Sequence, residues 1–414
     1  MLEFTDAPYE FYPAKPNRLL MWFSREVNRH ISLGKPEHRI TEVEVRGREH
    51  LEEARRLGGK RWLFLANHST HSDPQILAES QRQVGALSCY MAAYDVFLRG
   101  KFQAWVMQNT GCFSVNRDGS DSRAMREAIR ILTENRFGLS IFPEGNVYLM
   151  NDRVTPFLDG AAFIGMKAQK QLGSKEPIFV IPISIKVTHV TDPRLTIGEK
   201  LELLAKDIGA ELNRSAPMVE EIKRIGLTAL ERLLKQRGLM PQAADDGKVR
   251  AHLEDCAAMM IGRLEEKMGL TSRGQDSLGD RVRKIRSRVH KIRTDPGAKA
   301  DHQVAATWAD EAMIALRVLS YAGDYLDEAP TLDRCGESVE KLLEDIYSEV
   351  QLPVGERKAL VQINRPINLA EYLDAYEAGS REAVSGLTAS FESTIQAGLS
   401  ILAECNTQPG AQLF

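Results

Sequence analysis

The stretch Arg61-Trp62-Leu63-Phe64-Leu65-Ala66-Asn67-His68-Ser69-Thr70-His71-Ser72-Asp73-Pro74 begins as an apolar run and stops abruptly at a polar cluster. A short apolar run bounded in this way reads as a buried strand. The polar cluster then lies at the strand's carboxyl end, where open α/β sheets bind ligands. Asp73-Pro74 also reads as a helix start, with Asp as N-cap and Pro at the first helical position, leading to about Gln81. A histidine followed by a carboxylate at this spacing can form a base with its orienting partner. A turn brings Asp73 back to the second ring nitrogen of His68, fixes the tautomer and stabilises the imidazolium once His68 has taken a proton. Capping alone would account for Asp73, and the two roles are compatible.

The flanking sequence extends the pattern. Ile40 to Val45 alternates as a strand does and closes at Gly47. A β-α-β run follows: a strand at Cys112 to Asn116, a helix from Asp121 to Asn135 with Met125, Ala128, Ile129 and Leu132 inward, and a strand at Gly138 to Phe142. A helix at Gly160 to Gln171 leads to the apolar strand Ile178 to Ile185, where Pro182 predicts an edge or a local distortion. Alternating strands and helices predict an α/β fold, a mostly parallel sheet flanked by helices. Beyond Gly238 and a polar linker at Pro241 to Lys248, only helical periodicity remains, with helices expected near 250–268, 281–292, 305–326, 337–350 and 381–404. The expected organisation is an arm and amphipathic helix over 1–39, an α/β domain over 40–240 and an all-α domain over 241–414.

Composition narrows the partners. With 414 residues, 43% hydrophobic and 27% charged, the chain has the make-up of a soluble globular protein, and its net charge of −3 gives no basic footprint for nucleic acid. Five scattered cysteines without CxxC spacing argue against a disulfide framework or a zinc site and for a reducing cytoplasm. No run approaches the roughly 18 apolar residues of a spanning helix, and Met1 to Tyr12 lacks the basic start of a signal peptide. Membrane contact is therefore expected to be peripheral. From Pro16, a helix carries Leu20, Phe23, Val27 and Ile31 on one face and Arg18, Arg25 and Arg29 elsewhere, with Leu19, Met21 and Trp22 added. It suits either the protein's own core or an anionic bilayer. A second basic helix holds Arg281, Arg283, Lys284, Arg286, Arg288, Lys291 and Arg293 beside a seam of Val282, Ile285, Val289 and Ile292. It reads as a bundle helix with a solvated basic face, or as a dock for anionic lipid or an acidic carrier protein.

Further features fall at the carboxyl ends of predicted strands. Gly111-Cys112-Phe113-Ser114-Val115-Asn116-Arg117 places a guanidinium after one strand, suited to gripping a phosphate. Phe142-Pro143-Glu144-Gly145 follows the next, where Gly permits close backbone approach to a ligand. Seen singly, Arg117-Asp118-Gly119 is a solvated turn and Pro-Glu-Gly a common turn tripeptide. Together with Asn67-His68-x4-Asp73 and Val180-Ile181-Pro182-Ile183, they resemble the ordered motifs of the glycerolipid acyltransferase family, the lysophosphatidic acid acyltransferase-like group. The resemblance covers about residues 40–200 and says nothing about 240–414.

The resemblance implies an O-acyltransferase similar to 1-acylglycerol-3-phosphate acyltransferases. His68 would be the general base and Asp73 its orienting partner, with Arg117, Glu144 and Gly145 forming the acceptor site. The donor would be acyl-CoA or acyl-carrier protein as co-substrate, with no cofactor and no metal, and the acceptor a lysophospholipid or glycerol phosphate. Such chemistry belongs to phospholipid biosynthesis. The family often continues Phe-Pro-Glu-Gly with Thr or Ser and then Arg, and places Lys before the later Gly. Here Asn146 and Val147 follow, and Asp159 precedes Gly160, which makes the site less basic. Two rival readings stand beside this one. A metal hydrolase would use His68, His71 and Asp73, but the His-x2-His-x-Asp spacing lacks a fourth ligand. A non-catalytic acyl- or lipid-binding protein would have no need of a base and its partner.

Overall fold

The computed structural model describes residues 9–117, 121–239, 248–272, 276–295, 297 and 302–414. The start of the arm, the turn at Asp118-Gly119 and linker residues 241–247 lie outside these. The strands are β1 (Ile40–Arg46), β2 (Arg61–Ala66), β3 (Ser88–Ala93), β4 (Cys112–Val115), β5 (Gly138–Ile141), β6 (Ile178–His189), β7 (Arg357–Ile363) and β8 (Ile367–Asn368). They form one sheet in the order β1-β7-β6-β2-β5-β3-β4, with β8 on β6. From β6 to β4 the neighbours are parallel, whereas β7 runs antiparallel to β6 and carries β1 parallel to itself. The mostly parallel, helix-flanked sheet agrees with the sequence reading.

β2 lies between β5 and β6, and its unbroken apolar run follows from that position. Leu63 and Leu65 pack into one core with helices Ser122–Glu134, Gly160–Leu172 and Ser380–Glu404, while Phe64 and Ala66 face the other with helices Arg48–Arg56 and Asp73–Gln83. A central strand with helices on both faces has no solvent side on which to place a polar residue.

β6 outruns β2, and side chains finish its edge. Asn67 Nδ2 donates to Ile185 O (2.8 Å) while Ile185 N donates to Asn67 Oδ1 (2.7 Å). Two residues on, Asn151 makes the same pair with Val187, and Asp333 Oδ1 accepts from His189 N (2.9 Å). Three side chains thus satisfy successive buried backbone groups that no strand reaches. Pro182 falls where the far side of β6 changes partner from β8, last paired at Val180, to β7, first paired at Ile183. Asn364 N donates to the Pro182 carbonyl (2.9 Å), so the missing N–H sits at a gap in the ladder, the local distortion expected from sequence.

The C-terminal region is mainly helical, as expected, but the expectation of an all-α region requires a correction. β7 inserts between β1 and β6, and β8 pairs with β6. Helix Ser380–Glu404 lies on the sheet, where Ser184 Oγ donates to Ile395 O (2.7 Å) and Gly398 leaves room beside Ser184. Helices Val249–Met268, Leu278–Thr294 and His302–Leu319 enclose a separate core. In it Val282, Ile285 and Val289 are buried, while Arg281 pairs with Glu265 (2.6 Å), Lys284 with Asp276 (2.5 Å) and Arg283 with Asp280 (3.2 Å). The second basic helix is therefore a bundle helix with much of its charge matched. No helix among the described residues is long and apolar enough to cross a membrane.

Candidate active site

The chain leaves β2 at Asn67 and turns through His68 to Ser72 into helix Asp73–Gln83. Asp73 closes this turn: its carboxylate accepts from Thr70 N (2.8 Å) and Thr70 Oγ1 (2.9 Å), and its Oδ2 lies 3.0 Å from His68 Nδ1. Asp73 is fully buried, while the His68 side chain retains 17% exposure. The sequence motif thus becomes an imidazole anchored by one nitrogen and open on its other edge. Phe142 stacks against the ring at 4.4 Å and fixes its plane.

Glu144 braces the turn from β5. Its Oε1 accepts from His68 N (2.6 Å), and its Oε2 accepts from Thr155 N (3.2 Å) and the Thr155 hydroxyl. Burial pushes its carboxyl up to about 7, against the lowering effect of those donors. Both oxygens are engaged within the protein. Gly145 turns the chain with φ of 75°. Arg117 donates to Asp95 Oδ1 (2.9 Å) and Asn146 Oδ1 (3.1 Å), so the Asn that departs from the family pattern holds this guanidinium. His68, Arg117, Glu144 and Gly145 all line one cavity of about 1850 Å³, with Asp73 behind His68.

The sequence reading missed the C-terminal half of the support. On helix Leu332–Tyr347, Asp333, Glu337, Glu340 and Glu344 recur at helical spacing, and all are buried. They accept from His189 N (2.9 Å), Asn151 N (3.0 Å), Val354 N (2.7 Å) and Gln351 N (3.0 Å) respectively. Glu344 also lies 3.0 Å from His71 Nε2; burial raises its carboxyl, but the imidazole outweighs this and holds it below the usual range. The two histidines of the turn are thus directed to different carboxylates. On β7, Arg357 reaches the same turn through Ser72 Oγ (3.3 Å), which also meets His38 Nδ1 (3.1 Å). Carboxylates recurring along one helix face were the available signal, but they read equally as a solvated face.

A histidine held by a buried carboxylate at the end of a parallel strand, beside a large cavity, is an arrangement suited to general base catalysis in an α/β fold. Residues 42–186 match the family model described as Acyltransferase. That stretch is an acyltransferase domain of the glycerolipid acyltransferase family, and the chain is an O-acyltransferase-type enzyme. No curated protein matches this chain. The matched stretch ends within β6, so β7, which separates β1 from β6, is supplied from beyond it.

Proposed function

We propose that the protein moves a fatty acyl group from a thioester, acyl-CoA or acyl-carrier protein, to the hydroxyl of a lysophospholipid or glycerol phosphate. The observation that carries this reading is the 3.0 Å contact between His68 Nδ1 and buried Asp73, which leaves the Nε2 edge toward the cavity. Nε2 takes the acceptor's hydroxyl proton as that oxygen attacks the thioester carbonyl. The tetrahedral intermediate collapses, the carbon–sulfur bond breaks, and the thiolate regains a proton as it leaves. General base catalysis of this kind contributes about 10² to 10⁴-fold. Since a thiolate leaves readily, no covalent acyl-enzyme is required.

Arg117, held by Asp95 and Asn146, is the group we assign to the acceptor's phosphate, with the Gly145 backbone beside it. Glu144 contributes by holding the His68 backbone. The enzyme would act on the cytoplasmic side, peripherally bound, in phospholipid synthesis. Thiol release from palmitoyl-CoA and from palmitoyl carrier protein, with lysophosphatidate, glycerol 3-phosphate or no acceptor, tests this. Acceptor-dependent release that falls at least about 100-fold in His68→Ala is expected. Lipid binding without release from either donor would favour the binding-only alternative.

A further inference from the structure

The cavity at His68 is not walled by the matched stretch 42–186 alone. Helix Leu278–Thr294 of the C-terminal bundle contributes Leu278, Val282, Arg283 and Arg286, whose spacing places them on one helix face. The bundle is fixed against the site. Where the chain leaves it, Asp324 Oδ1 accepts from Arg153 (2.8 Å) and the Tyr325 hydroxyl accepts from Asp152 N (3.1 Å), both on the loop after β5. Ser320 Oγ accepts from Lys341 (2.7 Å), and Arg317 donates to Asp345 O (2.9 Å). These contacts tie the end of helix His302–Leu319 to Leu332–Tyr347, the helix whose Glu344 meets His71.

Arg286 differs from the other bundle cations of this wall. Arg250 and Arg283 have side chains 65% and 62% exposed and pair with Glu254 (3.1 Å) and Asp280 (3.2 Å). Arg286 is only 8% exposed, on the stripe of buried Val282 and Val289. A guanidinium beside a cavity but shielded from bulk water acts on an anion with little screening. From the α/β side, Asn146 accepts from Arg117 (3.1 Å) and donates to the Tyr148 hydroxyl (3.2 Å). Burial raises the Tyr148 phenol, and Asn146, Arg286 and Arg117 all act against that rise. Two guanidiniums, one from the end of β4 and one from the bundle, thus act on one tyrosine of the cavity wall.

The ligand follows from charge. Arg117 is already paired with Asp95 at 2.9 Å, and the loop from Phe142 to Asp152 contains no Lys or Arg. A phosphate monoester carries about 1.5 to 2 negative charges at neutral pH, more than a guanidinium matched by a carboxylate can offset. We propose that Arg286 binds the acceptor's phosphate together with Arg117, so that the bundle beyond the matched stretch sets the preference for a phosphorylated over a neutral acceptor. The acceptor's role in turnover rests on the acyl-transfer reading; the binding of a phosphate monoester by the two arginines does not.

Two measurements on the full chain test it, each with wild type, Arg286→Gln and Arg286→Lys. The first is steady-state thiol release from palmitoyl-CoA with lysophosphatidate or monoacylglycerol as acceptor. Loss of a charge-assisted contact should raise KM for lysophosphatidate about tenfold or more in Arg286→Gln, and by less in Arg286→Lys, which keeps the charge but not the planar fork. KM for monoacylglycerol and for palmitoyl-CoA should stay within about twofold of wild type. The second is thermal unfolding titrated with glycerol 3-phosphate or glycerol, which reads binding without turnover and also reports folding. Only glycerol 3-phosphate should stabilise wild type, and Arg286→Gln should need about tenfold more of it. Arg286→Lys carries both tests if the glutamine variant does not fold. An equal rise in KM for both acceptors, a rise confined to palmitoyl-CoA, or no change in either measurement overturns the proposal. Stabilisation by glycerol 3-phosphate that depends on Arg286, without transfer to any acceptor, would sustain the phosphate site while the acyl-transfer reading fell.

Discussion

Replacing Asp73 by asparagine removes a charge while preserving a shape. With its amide oxygen in the place of Oδ2, asparagine still accepts from Thr70 N and His68 Nδ1, now 2.8 and 3.0 Å from the carboxylate. Its NH₂ falls where Oδ1 now accepts from Thr70 Oγ1 (2.9 Å), and that hydroxyl can rotate to accept instead. The fold should survive, but the imidazolium formed during transfer loses its counter-charge. A hydrogen bond to a charged group exceeds a neutral one by about 1–2 kcal/mol, and a unit charge pair at this separation is worth at most about 5 kcal/mol at an effective dielectric near 20. A loss of about 2–5 kcal/mol corresponds to a kcat lower by about 30-fold to several thousandfold. KM should move little, because Asp73 is fully buried and touches no substrate. Steady-state thiol release, with thermal unfolding as the control for folding, measures both. A well-folded Asp73→Asn enzyme with kcat within about threefold of wild type would refute the assignment of His68 as a base oriented by Asp73.

Asn67→Ala should destabilise the fold by about 2–5 kcal/mol in urea titrations, since the N–H and C=O of Ile185 would both be left buried and unpaired. Glu144 carries a pH signature: its carboxyl is raised from 4.5 to about 7, so its stabilising contribution is complete below pH 4.5 and is lost as pH rises through about 7. The amount is at most about 3 kcal/mol, and Glu144→Gln should flatten the change in unfolding free energy over this range; an unchanged slope would contradict the cause given. Glu344→Gln should lower both stability and kcat/KM by loosening the catalytic turn. The double variant with His71→Gln should then add little to either single change, and full additivity in that cycle would mean the pair is not coupled. Because the Glu344 carboxyl is depressed, its contribution holds above the ordinary glutamate pKa and is lost as pH falls through the lower folded value.

The C-terminal region changes how the transferase domain is understood. Its strand completes the sheet, and its helix Leu332–Tyr347 supplies acceptors to the edge of β6 and to His71. A domain ending at residue 186, within β6, would leave Ile183 to Lys186 without the partner that β7 provides.

What the sequence determined by itself was local. β2 is legible because a strand buried on both faces must be apolar throughout. The His68–Asp73 pair is legible because a turn of that length, closed on Thr70, returns the carboxylate to the imidazole. Only tertiary structure decided the rest. β7 reads Arg357-Lys358-Ala359-Leu360-Val361-Gln362-Ile363, with charge at its start and no clean alternation, and its partners lie far away in sequence. The carboxylate-bearing face of Leu332–Tyr347 looks like a solvated one until the unpaired N–H groups beside it are known. The helix that carries Trp22 suits a core or a bilayer by its sequence, and only the fold shows that this side chain is left exposed. Period and composition report what one segment needs; they do not report which distant backbone group, or which surrounding medium, will satisfy it.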